Sequence, residues 1–325
     1  MASSLIIDVR TPAHIEIVSQ LLSKSYFDSY RDFFIIAPKN LDIPEWSGEI
    51  IFYDFSPAKY SSLFKIVKFI FELEHRVSRT ETVDLLSPLN FGPLYDVLNS
   101  RIKISLLHMF EDGISSYLDL DINHRLLKQT LISVVTCRIA KIANKKFFLG
   151  SDDKNTIIYS NKPKIFLDLA ITRNIKFVPD ELGNSNRELR NIYFLSSASL
   201  EYGMQDLDVY KDMIEKIARV YADRPVVVSF HHNESLWLKK LDIIRSFFSV
   251  ERIVRGNDTV ESDVRRGGGL VQLIAPYNSA ALNLLYANRL SKLCLYNDNG
   301  PNIETRKKLF FKLKNRSDLE FEIYD

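Results

Sequence analysis

Cysteine is scarce in this chain of 325 residues: Cys137 and Cys294 are the only two. Both lie in apolar stretches without CxxC spacing, which excludes a cysteine-only zinc site and fits reduced structural thiols in a cytoplasmic setting. A dominant sign of charge is missing as well. Lys and Arg number 43 against 41 Asp and Glu, and a formal charge of +2 gives no general reason to expect nucleic acid as a partner. Long apolar runs are absent. The opening "MASSLIIDVR" meets charge at Asp8 too early for a signal peptide, and no segment approaches the roughly 20 apolar residues of a membrane span. The sequence therefore predicts a protein that is soluble or that sits on a membrane surface. It holds no internal repeat and no low-complexity tract.

What is present is the material for a large core. Hydrophobic residues make up 46% and charged residues 26%, with 21 Phe and 15 Tyr, the balance of a folded protein rather than a disordered one. At about 150 residues per domain the length suggests two domains with a cleft between them. Short apolar runs alternate with stretches of helical periodicity, the pattern of an α/β fold with parallel sheets. In the first half "SLIIDV", "DFFIIAP", "EIIFYDF", "TVDLLSP" and "RIKISLLHMF" read as strands. Helices are predicted over "TPAHIEIVSQLLSKS", with Thr11 as N-cap and Pro12 at the first position, over residues 57–78 and 93–100, and over a long basic stretch, 123–148. From about 150 to 188 the pattern weakens into polar, turn-rich sequence, which places the domain junction there, with an N-terminal domain over 1–165 and a C-terminal one over 166–325. Three further strand-helix units follow from "NIYFLSS" to "KLCLYND" and make a second Rossmann-like half.

Open α/β sheets bind ligands at the carboxyl ends of their strands, so three polar clusters at predicted strand ends stand out. "FEDG" brings Glu111, Asp112 and Gly113 to the end of one strand; it is an ordinary turn former, or else a pair of acids in which the pKa of one is raised to that of a general base. "FHHNES" sets His231 and His232 side by side on an extended segment, so that they point to opposite faces and one can face a ligand. Two adjacent His with no third ligand make metal binding the weaker reading. "YNSAAL" puts Asn278 and Ser279 where a strand stops and a helix starts, a plain N-cap or a preformed phosphate site built from free N–H groups and the helix dipole. "RRGGG", 265–269, reads as a flexible cationic loop nearby, and it lacks the spacing of a P-loop or a dinucleotide fingerprint.

These clusters in this order resemble the bacterial sialyltransferases, in particular the lipooligosaccharide sialyltransferases of glycosyltransferase family 52, with the polysialyltransferases similar in pattern. The family's acid-acid-Gly motif is met by Glu111-Asp112-Gly113, its His-Pro motif by His231-His232, and its Ser segment ending in Ala-Ala-Leu by Asn278 to Leu282. The proline of the second motif is His232 here, which leaves the functional histidine as His231 or His232. The resemblance implies a glycosyltransferase-B fold: two Rossmann-like domains facing a cleft, acceptor-side first and CMP-sugar-binding second. It also implies inverting transfer from CMP-sialic acid to a galactose-type terminus of a bacterial surface glycan, lipooligosaccharide or capsule. Asp112 is then the base with Glu111 as its pKa partner, His231 neutralises the leaving phosphate, Ser279 and Asn278 hold it, and Ser196 and Ser197 are further donor contacts. No metal and no cofactor are implied. Another CMP-linked sugar acid such as Kdo or legionaminic acid, a capsule polymerase, and a catalytically silent glycan-binding protein on the same scaffold are the alternatives. The basic helix 125–148 and the tail "TRKKLFFKLKNR", 305–316, are candidates for an anionic membrane surface, and a homodimer is a further expectation.

Overall fold

The computed structural model describes residues 3–57, 59–77, 82–89, 92–111, 116–117, 125–138, 156–160, 162, 164–165, 175–177, 189–221, 224–231, 234–255, 259–287, 289–300, 302–314 and 319–324. Contacts divide the chain into two compact units, Met1–Pro163 with Thr172–Pro179 and Lys164–Ile171 with Asp180–Asp325.

The first unit is built on seven parallel strands: β1 (Ser3–Asp8), β2 (Asp32–Pro38), β3 (Glu49–Tyr53), β4 (Thr82–Ser87), β5 (Ile104–Phe110), β6 (Thr156–Ser160) and β7 (Ile175–Phe177). Their order across the sheet is β3-β2-β1-β4-β5-β6-β7. β1 is buried along almost its whole length, as expected of a central parallel strand covered on both faces. The helices are α1 (Pro12–Ser23), α2 (Leu63–Val77), α3 (Pro93–Arg101) and α4 (Arg125–Thr136). Thr11 caps α1 by accepting from the His14 N–H, with Pro12 at the first position as predicted. α2 buries Leu63, Ile66, Val67, Ile70, Leu73 and Val77, a single stripe at helical spacing.

The second unit has six parallel strands: β8 (Leu189–Leu195), β9 (Val226–Ser229), β10 (Val250–Val254), β11 (Leu270–Pro276), β12 (Leu290–Tyr296) and β13 (Glu320–Tyr324). The order is β10-β9-β8-β11-β12-β13. This is the doubly wound arrangement, in which the chain works outward from β8 to one edge and then returns to β11 to build the other. Its helices are α5 (Leu207–Tyr221), α6 (Trp237–Arg245), α7 (Val260–Gly267), α8 (Ser279–Tyr286) and α9 (Ile303–Lys314). Ile192, Phe194, Ile214, Ile217, Val226, Val228, Leu241 and Ile244 form one fully apolar cluster between sheet and helices.

Four expectations change. The weak region 150–188 contributes β6 and β7 to the first sheet, two short strands whose apolar residues are too few to show as a pattern. The predicted helix 123–148 is interrupted: α4 ends at Thr136 and Cys137 adopts φ 53, a left-handed conformation incompatible with helix continuation. "RRGGG" is no loop. Arg265 to Gly267 form the last turn of α7, and Gly268 caps it at φ 70. The basic tail is α9: its Leu309, Phe310 and Leu313 are buried in the fold while Phe311 stays exposed, which narrows the apolar surface the segment could offer a bilayer. Among the described residues no helix is long and apolar enough to cross a membrane.

Candidate active site

In each sheet the strand order reverses beside the first strand of the unit, between β1 and β4 and between β8 and β11. At such a switch point the flanking loops diverge and leave room for a ligand at the carboxyl edge.

In the second unit the neighbours β9, β8 and β11 end in His231, in Ser196–Ser197 and in Asn278–Ser279, so the sheet brings three of the sequence-predicted groups to one edge. Asn278 accepts from the Ala281 N–H at 3.0 Å and caps α8, leaving Ser279 as the first residue of that helix. Both are partly exposed, and the helix N-terminus they form is electropositive. Arg306 reaches in from α9, and its Nη1 donates to the carbonyl of Tyr277, the residue just before the cap, at 2.8 Å. Gly300 packs so close to this guanidinium that a Cβ there would lie 2.4 Å from Arg306 Nη2.

Ser196 and Ser197 are buried, and their hydroxyl protons are engaged within the protein. Ser196 Oγ donates to Glu234 Oε2 at 2.6 Å, and Ser197 Oγ donates to Ser199 Oγ at 3.0 Å, which donates on to Gln205. His231 follows β9 with an exposed side chain, while its backbone N–H donates to Glu234 Oε1 at 2.6 Å. His232 lies outside the described residues.

Glu234 and Lys240 carry no motif, and reading the sequence for motifs misses them. Both are completely buried, and Lys240 Nζ lies 2.7 Å from Glu234 Oε2 and 2.7 Å from Glu201 Oε2. It also donates to the Ser197 carbonyl at 2.6 Å. A signal was available: Trp237, Lys240, Leu241 and Ile244 share one helical stripe, and a lysine among core positions demands a buried acid. Arg255 stacks over Trp237 at 4.4 Å and donates to the Glu234 carbonyl at 3.2 Å.

In the first unit β5 ends at Phe110 and leads directly into Glu111. Glu111 is buried, accepts from Ser160 Oγ, and is paired with Lys162, both of which follow β6 or end it. Its charge is thus offset by a neighbouring ammonium. Asp112 and Gly113 lie outside the described residues. The β1–β4 switch point carries a second ionic cluster, in which Asp8 accepts from Arg10 Nη2 at 2.6 Å and from Ser87 Oγ at 3.2 Å. No group of three or more His, Cys, Asp and Glu among the described residues is arranged to hold a metal ion.

No family model matches the sequence, and no curated protein matches it either. Solved structures do. The chain is similar to an α/β-galactoside α-2,3-sialyltransferase from Photobacterium phosphoreum, with 12% identity, TM-score 0.57, and coverage of 99% of this chain and 98% of that one. A sialyltransferase GT-B domain from Photobacterium damselae aligns at 13% identity and TM-score 0.55 over the whole of both chains. MurG from Acinetobacter baumannii aligns at 9% identity and TM-score 0.50, covering 99% of this chain and 86% of that one. The two Rossmann-like units in series are the glycosyltransferase-B fold.

Proposed function

We propose that the chain is an inverting sialyltransferase that moves sialic acid from CMP-sialic acid to a hydroxyl of a galactose-type terminus on a bacterial surface glycan. One observation carries this reading. The doubly wound second sheet sets His231 and the Asn278–Ser279 start of α8 just past the ends of the two strands that flank β8, an arrangement suited to a leaving nucleoside monophosphate. Whole-chain likeness in fold to two sialyltransferases supports it.

The residue types suit the chemistry. Loss of CMP from a 2-keto sugar acid develops positive charge at the anomeric carbon and negative charge on the departing phosphate. The acceptor oxygen attacks that carbon from the opposite face, its proton passes to Asp112, and the bond from the anomeric carbon to the phosphate oxygen breaks. His231 protonates or neutralises the phosphate, and the N–H groups at the start of α8 with Ser279 hold it, an arrangement preorganised for the charge that develops. No resident metal or cofactor has a part in these steps.

Asp112→Asn tests the assignment of the base. The variant should lose about 10²–10⁴-fold in transfer rate while CMP affinity, read by titration calorimetry, stays at the wild-type value. Full transfer activity in this variant would remove Asp112 from the mechanism.

A further inference from the structure

We infer that Glu234, seated on Lys240, is a positioning residue that clamps the ends of β8 and β9 into one donor-phosphate site; this rests on the function proposed above. Every polar group of Glu234 is used. Its Oε1 accepts from the His231 N–H at 2.6 Å, and its own N–H donates back to the His231 carbonyl at 3.0 Å, so the backbone of His231 is gripped from both sides. Its Oε2 accepts from Ser196 Oγ at 2.6 Å and from Lys240 Nζ at 2.7 Å. Its carbonyl accepts from Arg255, which reaches over from beyond β10.

Lys240 completes the clamp from beneath. Its ammonium donates to the Ser197 carbonyl at 2.6 Å and to Glu201 at 2.7 Å, while Glu201 accepts from the Leu236 N–H at the start of α6. One carboxylate and one ammonium therefore tie together His231, Ser196 and Ser197, which come from two different strands. A buried ion pair is a poor source of stability, because desolvation consumes most of its attraction and apolar residues of similar volume often serve as well. What this pair supplies that leucine and methionine could not is direction: it fixes a hydroxyl, a backbone N–H and a carbonyl at the strand ends to within hydrogen-bond tolerance. Those three groups are spent on the pair and do not themselves reach a phosphate; holding them fixes the backbone that carries the exposed His231 imidazole, and a small displacement of a group acting at a phosphate loses most of its effect.

Two variants separate positioning from scaffolding. Glu234→Gln keeps the shape and removes the charge, whereas Glu234→Asp keeps the charge for Lys240 but is one methylene too short to reach His231 as well, and it guards against a failure of the first to fold. Each is titrated with CMP and with cytidine, which lacks the phosphate, after a thermal melt has shown that it folds. The clamp predicts that CMP binds at least tenfold more weakly than to wild type, that cytidine binding stays within twofold, and that kcat falls more than KM rises. Folded variants with the wild-type ratio of CMP to cytidine affinity and wild-type kcat would overturn it, whatever their melting temperatures. A wild-type protein that does not prefer CMP to cytidine refutes the donor assignment instead. The same pair of variants titrated with UMP and uridine then decides the clamp, and a wild type that binds no nucleoside monophosphate overturns both.

Discussion

His231 sits at the end of β9 with its side chain exposed and its backbone held by Glu234, so its imidazole contributes to no core. Substituting a surface side chain usually costs far less stability than emptying a core position. His231→Gln should therefore melt like wild type and yet lose about 10²–10⁴-fold in transfer rate, measured in the same preparation. A wild-type rate in that variant, with the loss appearing instead in His232→Gln, would move the role to the neighbour. The motif residues were legible because each pairs a chemically capable side chain with the end of an apolar run. Their supports were not. Glu234, Lys240, Ser160 and Lys162 gain meaning only when strands distant in sequence lie side by side, as when β5 and β6 bring Glu111 and Ser160 together across 49 positions.

At the scale of elements, long amphipathic helices and buried strands such as β1, α2 and α5 declare themselves by periodicity, and short or polar ones such as β6 and β7 do not. α9 shows a related limit: a helix that mixes Lys with Phe and Leu looks the same whether its apolar residues meet a bilayer or, as Leu309, Phe310 and Leu313 do, are buried in the fold. The middle of the first sheet holds a network with a consequence for pH. Tyr30 on the loop after α1 donates its proton to Asp84 of β4 at 2.5 Å, so its oxygen must accept from His108 Nε2 at 2.9 Å, leaving Nδ1 to accept from Tyr159 at 3.1 Å. A neutral ring satisfies that set. Burial first, and then the charge of Lys176, push the His108 pKa down to about 4 from 6.5. Between these values the unfolded chain binds a proton that the folded one refuses, so stability is complete above pH 6.5 and falls as pH drops toward 4. The slope is about 1.4 kcal/mol per pH unit in the middle of that window. Urea unfolding at pH 7, 6 and 5 should show it, and His108→Gln should flatten it; an unchanged slope in the variant would assign the effect elsewhere.

For the molecule as a whole, the alternation of strands and helices was enough to predict two Rossmann-like halves, and each sheet indeed follows a doubly wound order with β1 and β8 at the switch points. Fold alone does not choose a reaction, since one scaffold hosts many chemistries. The choice of a CMP-activated sugar acid therefore rests on the residues at the strand ends, and the donor is the point at which the account is most exposed. The most direct test supplies the purified protein with CMP-sialic acid, CMP-Kdo, CMP-legionaminic acid, UDP-GlcNAc and a GDP-sugar, each with and without a galactose-terminated acceptor, and measures the nucleotide released. CMP release from CMP-sialic acid should rise when the acceptor is present, with a sialylated product of inverted anomeric configuration. Turnover of the UDP- or GDP-sugar with CMP-sialic acid left intact would contradict it.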